Sequence, residues 1–308
     1  MSIPSHKIGL ALGSGSARGW AHIGVIKALA EHGIHPDIVC GTSIGSFVGA
    51  AYVCDRLQEL EDWARELDKR AIIKLMDVSF QAGGLVEGRK FVEFLRQLIG
   101  EPDFAGLTKQ FRTVAANLNT GREVWLGEGD VLDAVRASMA LPGFLTPFQT
   151  ENSWLVDGGL VNPVPVSVCR ALGAEVVIAV NLNGGIVGKH FDRNKPVENV
   201  VSRKAKSDTN SFEKLSDDVV EKLANLINFA RNNGSRAPGL FDVMGGAINI
   251  MQDRITRSRM GGDPPDIVIE PRLADIGLFE FDRAAEAIEA GCDAVKRAEF
   301  NINTIMAK

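Results

Sequence analysis

Residues 7–54 read KIGLALGSGSARGWAHIGVIKALAEHGIHPDIVCGTSIGSFVGAAYVC, and this stretch decides the fold class. It opens with a short apolar strand at 7–12, a loop of glycine and serine, and a helix over 20–32 with apolar residues at helical spacing. A second short strand at 36–40 is followed by another glycine-bearing turn and a second helix. Strand, tight turn and helix, repeated twice, are typical of a parallel α/β sheet.

The rest of the chain continues this alternation. Further strands are predicted at 111–118, 122–126, 153–157, 175–182 and 266–271, with a hairpin turn at 119–121. Helices are predicted at 55–70, 89–99, 131–139, 165–172, 216–231, 240–259 and 281–298, and an irregular segment at 71–88. We expect one domain, with a catalytic core over 1–183, a polar loop or insertion over 184–214, and C-terminal helices and a strand over 215–308 that complete it.

Composition narrows the class of protein. The chain has 308 residues, of which 45% are hydrophobic and 24% charged, with a net charge of −5, as expected for a soluble globular protein that does not bind nucleic acid. The four cysteines lack the spacing of a zinc site or a disulfide framework. The N-terminus lacks the features of a signal peptide, and the uncharged stretch 38–54 is too short to span a bilayer. We expect a cytoplasmic protein, and peripheral contact with the inner membrane stays open.

The segment Gly41-Thr42-Ser43-Ile44-Gly45 is the strongest local motif. It is a G-x-S-x-G between a predicted strand and a predicted helix, the context in which such a serine is lifted above the sheet as a nucleophile. Gly41 and Gly45 permit the sharp turn, and the helix N-terminus favours the negative charge that develops on attack. A chance match in a glycine-rich chain is the alternative, which the strand-to-helix context disfavours.

The loop from Gly13 to Gly19 can aim several backbone N–H groups at one point, either a phosphate or an oxyanion. A dinucleotide site would require G-x-G-x-x-G, but Arg18 occupies the third glycine position and no acidic residue follows at the expected distance. We therefore disfavour a nucleotide. Arg18 itself could steady the loop, meet an anionic headgroup, or form an ordinary salt bridge.

Ser43 needs a general base, and two kinds are available. Of the five histidines, only His190 follows the candidate acid in the usual order of a Ser-acid-His triad, and it lies in the polar stretch. His22, His32 and His35 fit surface or packing roles. Asp157, at the end of an apolar strand and before Gly158 and Gly159, could accept the serine proton directly, although an ordinary Asp-Gly turn is the simpler interpretation of this motif alone.

Together the three motifs resemble those of the patatin-like phospholipases, and so does the segment from Ser138 to Phe144 with Pro147. The C-terminal GDPPDIVIEP is similar to bacterial members related to neuropathy target esterase, the RssA-like group. The resemblance implies a three-layer fold with a mainly parallel central sheet flanked by helices, and a serine esterase without metal or organic cofactor. It implies Ser43 as nucleophile, Asp157 as base, the amides of Gly15 and Ser16 as oxyanion hole with Arg18 closing the loop, and supporting glycines at Gly13, Gly41, Gly45, Gly158 and Gly159. Members usually carry consecutive glycines before the arginine, whereas this chain has Ser14-Gly15-Ser16.

The expected substrate is a lipid or other acyl ester cleaved through an acyl-enzyme, and a weakly active regulatory or partner-binding protein is the alternative. Candidates for an acyl channel, each of which is commonly plain core, are Trp20, Phe47, Phe80 and Leu85. Substrate entry is expected to involve 55–90 or 184–214. Helix 240–259 carries an apolar stripe of Met244, Ile248, Met251 and Ile255, which we expect to pack inward while its arginines are solvated, with transient membrane contact as the alternative. The sequence does not determine the headgroup, chain length, regiochemistry, pathway or oligomeric state.

Overall fold

One mixed sheet organises the computed structural model, which describes residues 6–75, 77, 86–186 and 240–306. Its strand order is β5-β6-β3-β2-β1-β7-β8, with β4 also paired to β3. The strands are β1 (Ile8–Leu12), β2 (Ile38–Thr42), β3 (Gln110–Asn117), β4 (Glu123–Leu126), β5 (Phe148–Gln149), β6 (Trp154–Asp157), β7 (Val176–Val180) and β8 (Ile267–Ile269). The run β3-β2-β1-β7-β8 is parallel, whereas β4, β5 and β6 pair antiparallel.

Helices cover both faces of this sheet. They are α1 (Ala21–Glu31), α2 (Ile44–Val53), α3 (Leu57–Glu66), α4 (Lys69–Leu75), α5 (Arg89–Ile99), α6 (Val131–Ser138), α7 (Val166–Ala171), α8 (Leu240–Gly262) and α9 (Ala284–Met306). Alternate residues of the central strands face two separate apolar cores: Leu10 and Ile178 lie in the larger one, and Ala11 and Val177 in the smaller one. The predicted three-layer α/β fold with a mainly parallel sheet is therefore confirmed.

The late strand is the element that ties the C-terminal part to the sheet. Strand β8 pairs parallel with β7, with Ile178 opposite Ile267 and Val180 opposite Ile269. Residues 240–306 thus complete the same sheet rather than forming a separate one. The predicted helix at 216–231 and most of the polar stretch 184–214 lie outside the described residues. Across the described part of the chain, every helix is too short or too polar to cross a bilayer.

The segment 71–88 differs from its prediction at its start. It was expected to be irregular, but residues 69–75 form helix α4. The carboxylate of Asp68 accepts a hydrogen bond from the Ala71 N–H at 2.7 Å, which is the contact of a helix N-cap. The cap signal is present in the sequence, but the predicted helix at 55–70 includes Asp68. The observed helix ends earlier, at Glu66. Residues 76 and 78–85 lie outside the described part.

Helices α1 and α9 cross at unusually close range. A Cβ atom added at Gly24 would lie 1.9 Å from the carbonyl oxygen of Ile288, and one at Gly291 would lie 2.1 Å from that of Ala21. Both values are far below any van der Waals contact, so only glycine allows the two backbones to approach this closely. This crossing packs α9 beside the glycine-rich loop that precedes α1.

Candidate active site

The register of β3 brings two distant strand ends together. Val114 pairs with Thr42 of β2 and with Trp125 of β4, while Ala115 pairs with Asp157 of β6 and also with β4. Because a strand has only two edges, β2 and β6 both lie on the edge opposite β4. One runs parallel and the other antiparallel to β3, so their carboxyl ends meet. Ser43 directly follows β2, and Asp157 ends β6.

Ser43 occupies a strained turn between β2 and α2. Its φ of 57° and ψ of −125° lie outside the regions that L-residues favour, as expected for a serine held above a sheet at a helix N-terminus. A Cβ atom at Gly45 would lie 2.2 Å from the Leu12 carbonyl oxygen, and one at Gly41 would lie 2.5 Å from the backbone of Ser46. Both glycines of the motif are therefore required by close backbone approach.

Ser43 and Asp157 are in direct contact. The Ser43 hydroxyl donates to Oδ2 of Asp157 at 2.5 Å, and Oδ1 accepts from the Gly159 N–H at 2.7 Å. The Asp157 side chain is buried while Ser43 is half-buried. Burial raises the pKa of Asp157 to about 6, and its hydrogen bonds from Ser43 and Gly159 act in the opposite direction. The carboxylate is thus mostly ionised at neutral pH but more basic than an ordinary aspartate.

A third side chain, Ser138, supports this pair. Its hydroxyl accepts a hydrogen bond from the Ser43 N–H at 2.9 Å and donates to the Val114 carbonyl at 2.6 Å, so it ties the turn to β3. The Asp157 N–H donates to the Ala140 carbonyl at 2.9 Å, two residues further along the same segment. In the sequence this segment resembles that of the family, but no role is predicted for Ser138. A lone serine in a helix carries no signal that could reveal one.

The glycine-rich loop leaves two backbone donors unused. The N–H groups of Gly13, Ser14 and Ala17 donate to the carbonyls of Val180, Pro163 and Leu278. Those of Gly15 and Ser16, which lie between them, find no acceptor within the described residues. The Gly15 carbonyl accepts from both the backbone N–H and the Nε of Arg18, at 3.3 and 3.2 Å. Because the C=O and the following N–H of one peptide point in opposite directions, the Ser16 N–H faces away from Arg18.

Arg18 is a buried brace of this loop. Its side chain is 0% exposed, Nη2 donates to Asn249 Oδ1 of helix α8 at 2.7 Å, and Nη1 is buried without a hydrogen-bond partner. Burial lowers the pKa of Arg18 to about 10, so it stays charged. Within the described ranges no carboxylate lies within ion-pairing distance of it. Of the three roles considered from sequence, steadying the loop is the one observed, because a side chain with no exposure does not reach a headgroup.

The histidines in the described ranges stay away from the Ser43–Asp157 pair. His22 is buried and donates through Nε2 to the Gly13 carbonyl at 2.7 Å, and burial lowers its pKa to about 4, so it remains neutral. It braces the glycine-rich loop. His6 bonds Glu175, and His32 and His35 are exposed on the surface. His190 lies outside the described residues.

The apolar residues near the site differ from those expected. Trp20 and Phe47 are core residues, packed edge to face with their rings 6.0 Å apart, so they do not line a channel; Phe80 and Leu85 lie outside the described part. A shallow apolar cleft instead borders the segment that follows Ala140. The carbonyl of Ala140 accepts a hydrogen bond from the Asp157 N–H. The cleft is lined by Leu141, Pro142, Gly143, Phe144, Met244, Gly245, Ile248 and Phe279.

Helix α8 covers the polar side of the site with a polar face. Its buried side chains at helical spacing are Asn249, Gln252, Asp253 and Thr256. A Cβ atom at Gly159 would lie 2.4 Å from Gln252 Nε2, which shows how closely this helix approaches the Asp157 loop. The expectation that the stripe from Met244 to Ile255 packs inward holds only in part, since Met244 and Met251 are exposed whereas Ile248 and Ile255 are half-buried. The periodicity was correct, but the inner face is the polar one.

A family model and the most similar curated relatives show the family of this chain. A family model described as patatin-like phospholipase matches residues 10–170. Uncharacterized NTE family proteins of Mycobacterium tuberculosis and Mycobacterium bovis are 32% identical, covering 93% of this chain and 89% of theirs. Lysophospholipase nte1 of Aspergillus fumigatus is 36% identical over 57% of this chain, which spans only 12% of that protein. The solved structure of VipD from Legionella pneumophila is 12% identical with a TM-score of 0.47, covering 96% of this chain and 67% of that one. The chain belongs to the patatin-like phospholipase family.

Proposed function

We propose that this protein is a serine hydrolase of lipid acyl esters in which Ser43 is the nucleophile and Asp157 the general base. The observation that carries the proposal is the 2.5 Å hydrogen bond from the Ser43 hydroxyl to the buried Asp157 carboxylate. A serine hydroxyl is a weak nucleophile until a neighbouring base removes its proton, and the raised pKa of Asp157 makes that carboxylate a better acceptor. Family membership supports the same reaction class.

The reaction follows from these positions. Ser43 Oγ attacks the ester carbonyl while its proton moves to Asp157, and the negative charge that develops on the carbonyl oxygen is received by the unused N–H groups of Gly15 and Ser16. Asp157 then returns the proton to the leaving alcohol, which departs and leaves an acyl-Ser43. Water, deprotonated by Asp157, attacks this ester, and Asp157 passes that proton to Ser43 Oγ as the carboxylic acid is released. The proposed cycle requires neither a metal ion nor an organic cofactor.

The cleft between α8 and residues 141–144 favours an apolar acyl chain in the substrate. Its lining is aliphatic and aromatic, and it begins at the segment that bonds the Asp157 backbone. Two relatives are named for lipid substrates, Lysophospholipase nte1 of Aspergillus fumigatus and Patatin-like phospholipase domain-containing protein 6 of Homo sapiens. We infer phospholipids or lysophospholipids as the substrate class. Four free cysteines support action in a reducing, cytoplasmic compartment.

The test is hydrolysis of p-nitrophenyl esters of graded chain length, and of lysophospholipids, by wild type, Ser43→Ala and Asp157→Asn. Both variants should lose at least about a thousandfold in kcat/KM, because each removes a member of a pair that acts as a unit. Serine labelling by a fluorophosphonate probe should disappear in Ser43→Ala. The inactive variants must keep the wild-type unfolding curve in urea at pH 5 for the loss to count as catalytic.

Two outcomes would redirect the proposal. Wild-type activity that survives Asp157→Asn but collapses in His190→Ala would replace the dyad by a histidine-containing triad. A folded wild type that hydrolyses none of these esters, and whose Ser43 resists the probe, would favour the regulatory or partner-binding alternative. Under the dyad, His190→Ala should keep full activity.

A further inference from the structure

Helix α8 exposes an apolar surface to solvent. The outward-facing positions Val243, Met244, Ala247, Ile250, Met251 and Arg254, called here the outer face of α8, follow each other at helical spacing. Val243 and Ile250 are each 49% exposed and Met251 is 45% exposed. Single exposed apolar residues are ordinary on a protein surface, but several side by side on one helix mark an interaction site.

The packing of the described residues does not explain this surface. Helix α8 is held from its inner side by polar contacts: Asn249 bonds Arg18, and Gln252 accepts from Asn183 at 2.9 Å. An ordinary surface helix turns its apolar stripe to the core and its polar stripe to water. In α8 the fully buried side chains are polar, and although Ile248 and Ile255 are half-buried, Val243, Ile250 and Met251 are exposed and available to a partner.

The outer face adjoins the apolar cleft. Met244 belongs to both, and Ile248 continues the lining on the flank of the helix beside residues 141–144. Phe144 and Phe279 form the opposite side with ring centres 5.2 Å apart. An apolar path thus runs from the outer face, along the cleft, to the segment that bonds the backbone of Asp157.

The exposed charges of α8 indicate which kind of partner its outer face would bind. By sequence the charged residues of α8 are Asp242, Asp253, Arg254, Arg257 and Arg259, and over 243–262 the one carboxylate is that of Asp253. The single carboxylate is turned inward and ion-paired with Arg257 at 2.9 Å, while Arg259 pairs with Glu123 of β4. Apolar side chains flanked by arginines, with no exposed carboxylate between them, are typical of helices that lie in the interface of an anionic lipid layer.

We propose that the outer face of α8 docks onto the surface of an anionic lipid aggregate and places the cleft against its acyl chains. The choice of a lipid rests on the proposed function, since a lipid hydrolase must take its substrate from such an aggregate. Docking itself requires no chemistry at Ser43. The apolar residues enter the headgroup boundary, and Arg254 contacts the anionic groups beside them.

Vesicle binding tests this proposal separately from catalysis. Sedimentation with vesicles of phosphatidylcholine and phosphatidylglycerol is measured in the Ser43→Ala background, so that no lipid is consumed. The double change Ile250→Ser with Met251→Ser should weaken binding at least about tenfold, because two side chains that would be buried in lipid are lost. The matched control is Phe300→Ser on α9, which removes a side chain that is 81% exposed, and this variant should bind like its parent.

Hydrolysis of a soluble short-chain ester, measured with Ser43 present, separates the two proposals. The double variant should keep wild-type activity on it while losing activity on vesicle-borne substrate. If the wild type hydrolyses no ester but its vesicle binding depends on Ile250 and Met251, docking stands and the proposed function fails. Equal binding by parent, double variant and Phe300→Ser would overturn docking. Docking would also be overturned if the protein bound no vesicles and instead formed a dimer that the double change converts to a monomer. The outer face of α8 would then join two copies of the chain.

Discussion

Helices α8 and α9 have the same length, 23 residues, but they bury opposite kinds of side chain. On α9 the buried positions are apolar, among them Ala287, Ile288 and Val295, and they face α1 across the glycine crossing. On α8 the buried positions are polar, and the exposed ones include Ile250 and Met251. Burial of apolar area stabilises α9, as it does most helices of a globular domain.

The difference separates structural from functional packing. Helix α9 contacts α1 and strand β8, away from the Ser43–Asp157 pair. Helix α8 contacts the loop of Arg18 and the Asp157–Gly159 turn, and each of these contacts serves the geometry of the site. On the polar face of α8, Asn249 and Gln252 have buried partners in Arg18 and Asn183, whereas Thr256 Oγ1 is buried without a hydrogen-bond partner.

The strongest test of the apolar packing of α9 is Gly24→Val at the α1–α9 crossing. The first added carbon would lie 1.9 Å from a backbone oxygen, and neither helix can yield without separating. We expect a loss of about 3 kcal/mol or more in the free energy of unfolding, measured by urea denaturation. The matched control is Gly261→Ala on α8, where no atom lies within 4 Å of the added carbon and stability should not fall. A Gly24→Val variant as stable as wild type would mean that the two helices are not in close contact.

The polar packing of α8 is tested by Asn249→Leu. Leucine is similar to asparagine in shape, so on an ordinary buried face this change would be conservative. Here it removes the acceptor of Arg18 Nη2, while Nη1 already lacks a partner. We expect a loss of about 2 kcal/mol in stability and a lower kcat, because the Gly15 carbonyl would lose its fixed donor. Asn249→Asp keeps an acceptor and should restore both quantities. Ile250→Ser, one residue away and exposed, should change stability by less than about 0.5 kcal/mol.

The smallest effect concerns pH. Because burial raises the pKa of Asp157 to about 6 and only the ionised carboxylate accepts a proton, kcat/KM on a soluble ester should rise with pH and reach half its plateau near pH 6. Gln252→Ala opens the α8 side of the Asp157 loop to water, so the midpoint should move down by roughly half a unit. Lys296→Ala on the exposed side of α9 should leave it in place. A wild-type midpoint near pH 4 would show that burial does not tune this carboxylate, and an unmoved midpoint in Gln252→Ala would show that α8 does not contribute.

The elements of the sheet could be predicted from sequence because each carries its own local pattern. The positions of Ser43 and Asp157 were predictable for the same reason, since each lies in a short motif at the end of an apolar strand. Their contact was expected from the family resemblance and not from any local pattern. It depends on the register of β3, with Val114 opposite Thr42 and Ala115 opposite Asp157, and no local pattern encodes a pairing between strands so far apart in sequence.

The predicted orientation of the apolar stripe of α8 was not fully correct, for a different physical reason. Met244, Ile248, Met251 and Ile255 recur at helical spacing, but spacing defines a stripe and not the direction in which it faces. Asn249, Gln252, Asp253 and Thr256 define an equally regular stripe on the other side. Only the presence of polar partners, the Arg18 guanidinium and the amide of Asn183, decides which stripe turns inward.

The end-to-end meeting of β2 and β6 bears on how the protein is made. During synthesis Ser43 leaves the ribosome 114 residues before Asp157, and the two come into contact only after β6 has paired with β3. A nascent or truncated chain that ends before Asp157 therefore carries a serine without its proton acceptor. Under the proposed mechanism, an incomplete copy of the chain should therefore hydrolyse no ester until the antiparallel half of the sheet has formed.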